Sequence, residues 1–246
     1  MKVVGIIPAR YASSRFHGKP LADICGKPMV WWVYKQAKKV SFFDEVYVAT
    51  DDILISTQVE ELGGKAILTS SKHPTGTDRV AEVAETIDAD WYINIQGDEP
   101  LIEPETIEAI LYPVQQGQCK DDVHVINLMA QIKDPVDAIN PTIPKVIAGD
   151  DGRGIYLTRG TSPHPKGSIE YCYYKQLGVY AFTPSALSFF KDSPRGKIER
   201  IEDIEILRFI ESGWHVKYVE VETQSIAVDT PKDLEKVRNI FINRRA

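Results

Sequence analysis

Through the first 130 residues, short apolar runs alternate with segments whose apolar positions recur every three or four residues. The run at 3–7 predicts a buried strand, and 28–40, with Val30, Val33 and Ala37 on one face, predicts a helix. A strand follows at 45–49. Val59 and Leu62 then lie on a helix stopped by Gly63-Gly64. Residues 65–69 read as a strand, and 77–87 as a helix carrying Val80, Val83 and Ala84. Residues 91–95 form a further strand, and 104–116 a helix with proline near its start. Strands and helices alternating at this length predict a parallel, doubly wound sheet.

The second half is richer in strands. These are predicted at 123–132, 144–148, 155–158, 175–183 and 215–221, with helices at 184–191, 199–212 and 231–244. One domain covers 1–246, and the β-rich stretch at about 130–200 is expected to bind substrate or form a dimer.

The first strand delivers an unusual loop. Arg10, Arg15 and Lys19 stand within ten residues, beside Ser13, Ser14 and Gly18. Ligands of open α/β sheets bind at the carboxyl ends of the strands, and clustered cations with hydroxyls there suit a polyanion such as a triphosphate. Asp98 follows the strand at 91–95 directly, behind Gln96 and Gly97, and Asp229 follows Ile226-Ala227-Val228. Mg²⁺ takes oxygen ligands and commonly uses one or two carboxylates together with substrate phosphates. Asp229, in Asp-Thr-Pro, also suits a helix N-cap. The loop 73–79, His-Pro-Thr-Gly-Thr-Asp-Arg, offers amides and hydroxyls that could hold a base or a sugar, or simply cap a helix through Thr75 or Thr77.

Totals narrow the field. A formal charge of −6 on 246 residues excludes a basic nucleic-acid footprint. Cys25, Cys119 and Cys172 show no metal spacing and read as reduced thiols of a cytoplasmic protein. No run approaches the length of a membrane span, so membrane insertion is not expected. The first strand lacks the G-x-G-x-x-G loop of dinucleotide-dependent oxidoreductases. Trp31-Trp32 and the aromatic run 171–174 read as packing, and Arg244-Arg245 as helix C-terminal charge.

The opening Ile-Pro-Ala-Arg-Tyr-Ala-Ser-Ser-Arg-Phe-His-Gly-Lys-Pro-Leu resembles the start of the 3-deoxy-manno-octulosonate (Kdo) cytidylyltransferases. Collinear matches continue at Val48-Ala49-Thr50-Asp51, at 73–79 and at Gln96-Gly97-Asp98-Glu99-Pro100. They resume at Leu177-Gly178-Val179-Tyr180, at Ile201-Glu202 with Glu205, and at 228–235. The resemblance implies a Rossmann-like, GT-A-type nucleotide-diphospho-sugar transferase fold with a mainly parallel sheet and a β-rich insertion. It also implies CMP transfer from CTP to an acidic sugar for lipopolysaccharide or related synthesis, by a homodimer using Mg²⁺. By that likeness Ala9, Arg10, Ser13, Arg15 and Lys19 would meet the nucleotide phosphates. Thr75, Gly76, Thr77 and Arg79 would border the cytidine, and Gln96 the nucleotide–sugar junction. Arg159, Gln176, Tyr180, Glu202 and Glu205 would meet the sugar. Asp98 and Asp229 would bind metal and, with Lys19, carry catalysis.

Three positions depart from the family pattern. Gly160 stands where alanine is usual, Gln176 where histidine is, and Ile206 where glutamine is. All lie in segments that line the sugar end in the family, so Kdo, a modified Kdo and another sugar acid stay open as substrates. A non-catalytic nucleotide-binding protein of the same fold is the alternative from a different class. The presence of Lys19, Asp98 and Asp229 argues against it, because binding without turnover does not need two metal carboxylates.

Overall fold

The computed structural model describes residues 1–12, 16–119, 122–167 and 172–244. Expectations placed on Ser13, Ser14, Arg15, Tyr171 and Arg245 lie outside the described residues. The chain divides into two compact units, Met1–Glu108 with Thr223–Ala246, and Ala109–Glu222.

The first unit runs β1 (Val3–Ala9), β2 (Asp23–Ile24), β3 (Lys27–Pro28), α1 (Met29–Ala37), β4 (Glu45–Thr50), α2 (Ile53–Glu61), β5 (Ala66–Leu68), α3 (Gly76–Ala84), β6 (Trp91–Ile95) and α4 (Pro104–Glu108). Strand β1 pairs in parallel with both β4 and β6, and β4 with β5. A strand flanked on both sides, with helices over its faces, needs apolar residues at consecutive positions. Val3, Val4, Ile6 and Ile7 are accordingly all buried. The Asp52 carboxylate caps α2 by accepting from the Leu54 and Ile55 amides, and Gly63, at φ 84, ends it.

The second unit contains α5 (Tyr112–Gln115), β7 (Val123–Gln131), α6 (Pro135–Ile139), β8 (Lys145–Ala148), β9 (Gly154–Thr158), β10 (Tyr174–Phe182), α7 (Pro184–Asp192), α8 (Lys197–Glu202), α9 (Leu207–Glu211) and β11 (His215–Glu220). Strand β7 lies between antiparallel β10 and parallel β11, and β8 runs antiparallel to both β10 and β9. Phe182, Phe190 and Phe209 are buried together, with ring centroids 5.7–5.8 Å from Phe209. The chain then returns to the first unit as α10 (Pro231–Asn243). Leu234 and Val237 of that helix pack with Ile24, Met29, Leu101 and Val228.

The architecture is the Rossmann-like α/β fold expected, and two helices differ from expectation. The helix expected over 104–116 is α4, a 3₁₀ turn at Ala109–Leu111, and α5. Pro113 has no amide to donate and disfavours helical geometry at the residue before it. The helix expected over 199–212 is broken between α8 and α9 at Asp203, whose φ is 51. Arg159 takes the Glu202 and Asp203 carbonyl oxygens, which a continuous helix would have used internally. The hairpin β2–β3 and helix α6 were too short to show in the pattern. Among the described residues no helix is long and apolar enough to cross a membrane.

Candidate active site

After β1, Gly18 adopts a left-handed conformation (φ 66) and turns the chain into a single 3₁₀ turn, Lys19–Leu21. The Lys19 Nζ donates to Asp98 Oδ2 at 2.7 Å and to the Val228 carbonyl at 3.0 Å, and lies 3.5 Å from Asp229 Oδ1. The two acidic segments are themselves joined, because the Val228 amide donates to the Asp98 carbonyl at 2.9 Å. Gly97 lets the segment after β6 lie close against β1, since a Cβ there would meet Ile7 Cγ2 and the Pro8 carbonyl at 3.3 Å. Three residues separated by up to 210 positions in sequence thus meet at one point.

The capping alternative for Asp229 is corrected here. Thr230 is the N-cap of α10, in a capping box with Asp233, so Asp229 stands outside the helix. Asp98 Oδ1 is buried and accepts no hydrogen bond among the described residues. An ionised carboxylate oxygen left this way is costly unless a cation meets it. Asp98 and Asp229 therefore form a hard oxygen donor pair that fits a divalent cation held partly by phosphates. Among the described residues no group of three or more metal-ligating side chains occurs.

Arg10 is exposed at the end of β1, Ala9 is buried, and Gln96 is half-buried after β6. In the loop before α3, Thr75 is the cap, accepting from the Asp78 amide while its hydroxyl donates to Asp78 Oδ2 at 2.7 Å. Gly76 lies over Pro8, where a Cβ would come within 3.3 Å of Cγ. Thr77 and Arg79, expected to border the cytidine, are buried. Arg79 pairs with Asp51 Oδ2 at 2.9 Å and donates to Thr69 Oγ1 at 2.7 Å and the Ser70 carbonyl at 3.2 Å. These contacts tie the loop down. On the other side of the loop, Glu82 accepts from the Ser70 amide at 2.8 Å and contacts His73 Nε2 at 2.5 Å. Burial alone would raise the Glu82 pKa, but the Ser70 amide, His73 and Arg79 together hold it below the ordinary value.

Of the residues expected at the sugar, Arg159 and Glu202 are engaged with each other in the second unit. Glu202 accepts from Thr158 Oγ1 at 2.7 Å, the Arg159 amide at 2.8 Å and the Tyr156 hydroxyl at 3.2 Å. Burial opposes its charge, and these donors with the Arg159 guanidinium outweigh it, leaving the pKa lowered. Arg159 donates to the Glu202 carbonyl at 2.6 Å, the Asp203 carbonyl at 3.1 Å and the Pro141 carbonyl at 3.2 Å. Tyr180 is buried and stacks on Phe182, whereas Gln176 and Glu205 are half-buried. Ile206 is buried in the core, so its apolar character serves packing, and Gly160 is exposed.

Sequence reasoning passed over Lys145 and Asn127, both fully buried. The Lys145 ammonium donates to the Asn140 and Arg159 carbonyls at 2.8 Å each. Burial and then the neighbouring Arg159 charge push its pKa down, with Glu202 opposing. A polar residue inside an otherwise apolar strand was the available signal for both.

Comparison with known proteins accords with this geometry. The cytidylyltransferase family profile matches residues 4–224. The 3-deoxy-manno-octulosonate cytidylyltransferase of Geotalea uraniireducens (strain Rf4) is 42% identical, with 96% of this chain and 98% of that protein covered. The Escherichia coli protein of that name is 39% identical, covering 100% and 98%. A CMP:2-keto-3-deoxy-manno-octonic acid synthetase solved in complex with CTP superposes with a TM-score of 0.93 at 38% identity, covering 99% of this chain and 100% of that one. The 4-diphosphocytidyl-2C-methyl-D-erythritol synthase of Anaerococcus prevotii DSM 20548 shares the fold, with a TM-score of 0.64 at 15% identity and 98% and 99% covered. With its full-length likeness and its Lys19, Asp98 and Asp229 brought to one point, this chain belongs to the 3-deoxy-manno-octulosonate cytidylyltransferase family.

Proposed function

We propose that this protein transfers CMP from CTP to Kdo or a closely related sugar acid, releasing pyrophosphate. The single observation that carries the reading is the meeting of Lys19 with Asp98 and Asp229 in a chain with full-length family likeness. Arg10 and Lys19, with Ser13 and Arg15 of the same loop, would hold the triphosphate through charge-assisted hydrogen bonds. Ala9, Thr75, Gly76 and Gln96 would border the nucleotide. Thr77 and Arg79 would act from beneath, by fixing the loop. Asp98 and Asp229 would hold Mg²⁺. When bound, the ion supplies charge neutralisation at the triphosphate and stabilises the alkoxide form of the sugar hydroxyl.

In the transfer, the sugar oxygen bonds to the α-phosphorus as the bond to the pyrophosphate oxygen breaks, and the hydroxyl proton passes to water. Lys19 would neutralise charge building on the departing pyrophosphate. His73 is held by Glu82, and the reading assigns no imidazole to the proton. Gln176 and Glu205 would face the sugar, with Arg159, Glu202 and Tyr180 shaping the wall behind it. A homodimer in the cytoplasm, serving lipopolysaccharide synthesis, completes the reading. Exposed Val136, Ile139, Ile155 and Ile201 in the second unit support the dimer.

The test is pyrophosphate release from CTP and Mg²⁺ with Kdo, an amino-substituted Kdo, a sialic acid and no sugar. Turnover with Kdo or its amino analogue is the expected result. CTP binding without pyrophosphate release from any sugar would defeat the reading and favour a non-catalytic protein.

A further inference from the structure

Strand β10 carries an irregularity against β7. Gln176 is paired with Met129 and Tyr180 with Asn127, so four steps along β10 match two along β7. Asn127 answers that bulge from a fully buried position. Its Nδ2 donates to the Leu177 carbonyl at 2.9 Å and the Val179 carbonyl at 2.8 Å. A carboxamide nitrogen has two hydrogens, and both are spent on carbonyl oxygens. Chemistry therefore fixes which branch of the amide is nitrogen, because two carbonyls would repel the oxygen. Asn127 Oδ1 is left facing Gln176 and accepts from its Nε2 at 2.9 Å. That contact in turn orients Gln176: its nitrogen branch is turned to a buried acceptor, and its carbonyl Oε1 is on the opposite branch. Gln176 is half-buried, and Asn127 is the one partner given for its amide nitrogen among the described residues.

We propose that Asn127 is a positioning residue that acts through Gln176, and that Gln176 presents a fixed hydrogen-bond acceptor to the sugar acid. The pair selects for a sugar carrying a donor, a hydroxyl or an ammonium, at the carbon that faces it. This rests on the cytidylyltransferase reading above. A site built to pair a hydroxyl or amine discriminates strongly against an analogue lacking it, because its own polar group is then left unpaired. The bulge supplies the device, since the carbonyls it redirects hold the Asn127 nitrogen in place.

The experiment uses pyrophosphate release by the full-length protein with Kdo, an amino-substituted Kdo and deoxy analogues of Kdo. Gln176→Met keeps the side-chain length and removes the amide. It should raise the KM for the sugar acid about tenfold or more while leaving the KM for CTP unchanged. Asn127→Ala should raise the sugar KM alone, and add nothing further in the Gln176→Met background. Fully additive effects would mean that Asn127 is only structural, and overturn the proposal. Should Asn127→Ala fail to fold, Gln176→Glu takes its place. The carboxylate has no hydrogen for Asn127 Oδ1, so the held orientation is lost while a charged acceptor remains, and the ratio of amino-sugar to Kdo turnover should change about tenfold. An unchanged ratio overturns the proposal, as does a wild-type protein that turns over every deoxy analogue as well as Kdo. Wild-type protein inactive on all the sugars would instead sink the underlying reading. Active wild type with Gln176→Met unaffected sinks this inference alone.

Discussion

Replacing Arg79 by methionine separates two roles that a charged residue in a nucleotide loop can have. Its side chain is 3% exposed and pairs at 2.9 Å with Asp51, which is 15% exposed. Asp51 Oδ1 is already buried without a partner, so loss of the guanidinium strands a buried carboxylate. Breaking a buried pair by removing one member costs about 3–5 kcal/mol, and the residual exposure of Asp51 argues for about 3 kcal/mol. For a chain of this size each kcal/mol shifts Tm by about 2–4 °C, so Arg79→Met should lower Tm by about 6–12 °C. Thermal unfolding followed by circular dichroism reads the shift, and titration calorimetry with CTP reads the nucleotide. The double variant Asp51→Asn with Arg79→Met should recover part of the loss, because no unpaired charge remains. A Tm within about 2 °C of wild type, together with lost CTP affinity, would refute the reasoning. It would make Arg79 a direct nucleotide ligand.

Four further outcomes are expected. Lys19→Met should fold and lose about 10²–10³-fold in turnover at saturating CTP, measured as pyrophosphate release; near-normal turnover would remove Lys19 from the chemistry. His73→Ala should stay within about tenfold of wild type, because a general base contributes about 10²–10⁴-fold and none is assigned here. Glu202 is held below its ordinary pKa of 4.5, so its stabilisation is present above that pH and is lost as pH falls through its folded value. Urea unfolding across pH 3–6 (about 3 to about 6) should therefore show a steeper acid loss for wild type than for Glu202→Gln, and equal slopes would contradict this. Arg208 grips the fully buried Glu199 with two hydrogen bonds, of 2.7 and 2.9 Å, so Arg208→Met should cost about 3–5 kcal/mol in denaturant unfolding.

The parts legible in sequence were those where one physical rule dominates. Residues 3–7 read as a strand because a central parallel strand is apolar on both faces, and β1 extends that run only to Ala9. Asp98 was legible because it lies just beyond the apolar run of β6, where parallel topology gathers strand ends. Lys19 stood out as a cation of the basic loop after β1, and Asp229 as the carboxylate that follows Ile226-Ala227-Val228, a stretch that forms no strand. Periodicity failed where distant hydrogen bonds decide the backbone. Nothing local in 199–212 announces that Arg159 will take two carbonyls and break the helix at Asp203. Arg79 and Glu202 read as ligand groups because their motifs are polar, and in the fold each is engaged by internal partners. Asp98 differs from them in keeping one oxygen unsatisfied. Motif residues thus differ in bonding capacity: Arg79 and Glu202 are engaged by internal partners, whereas Asp98 keeps one carboxylate oxygen for a cation. Burial and partnership decide that division, and neither is written in residue type or spacing.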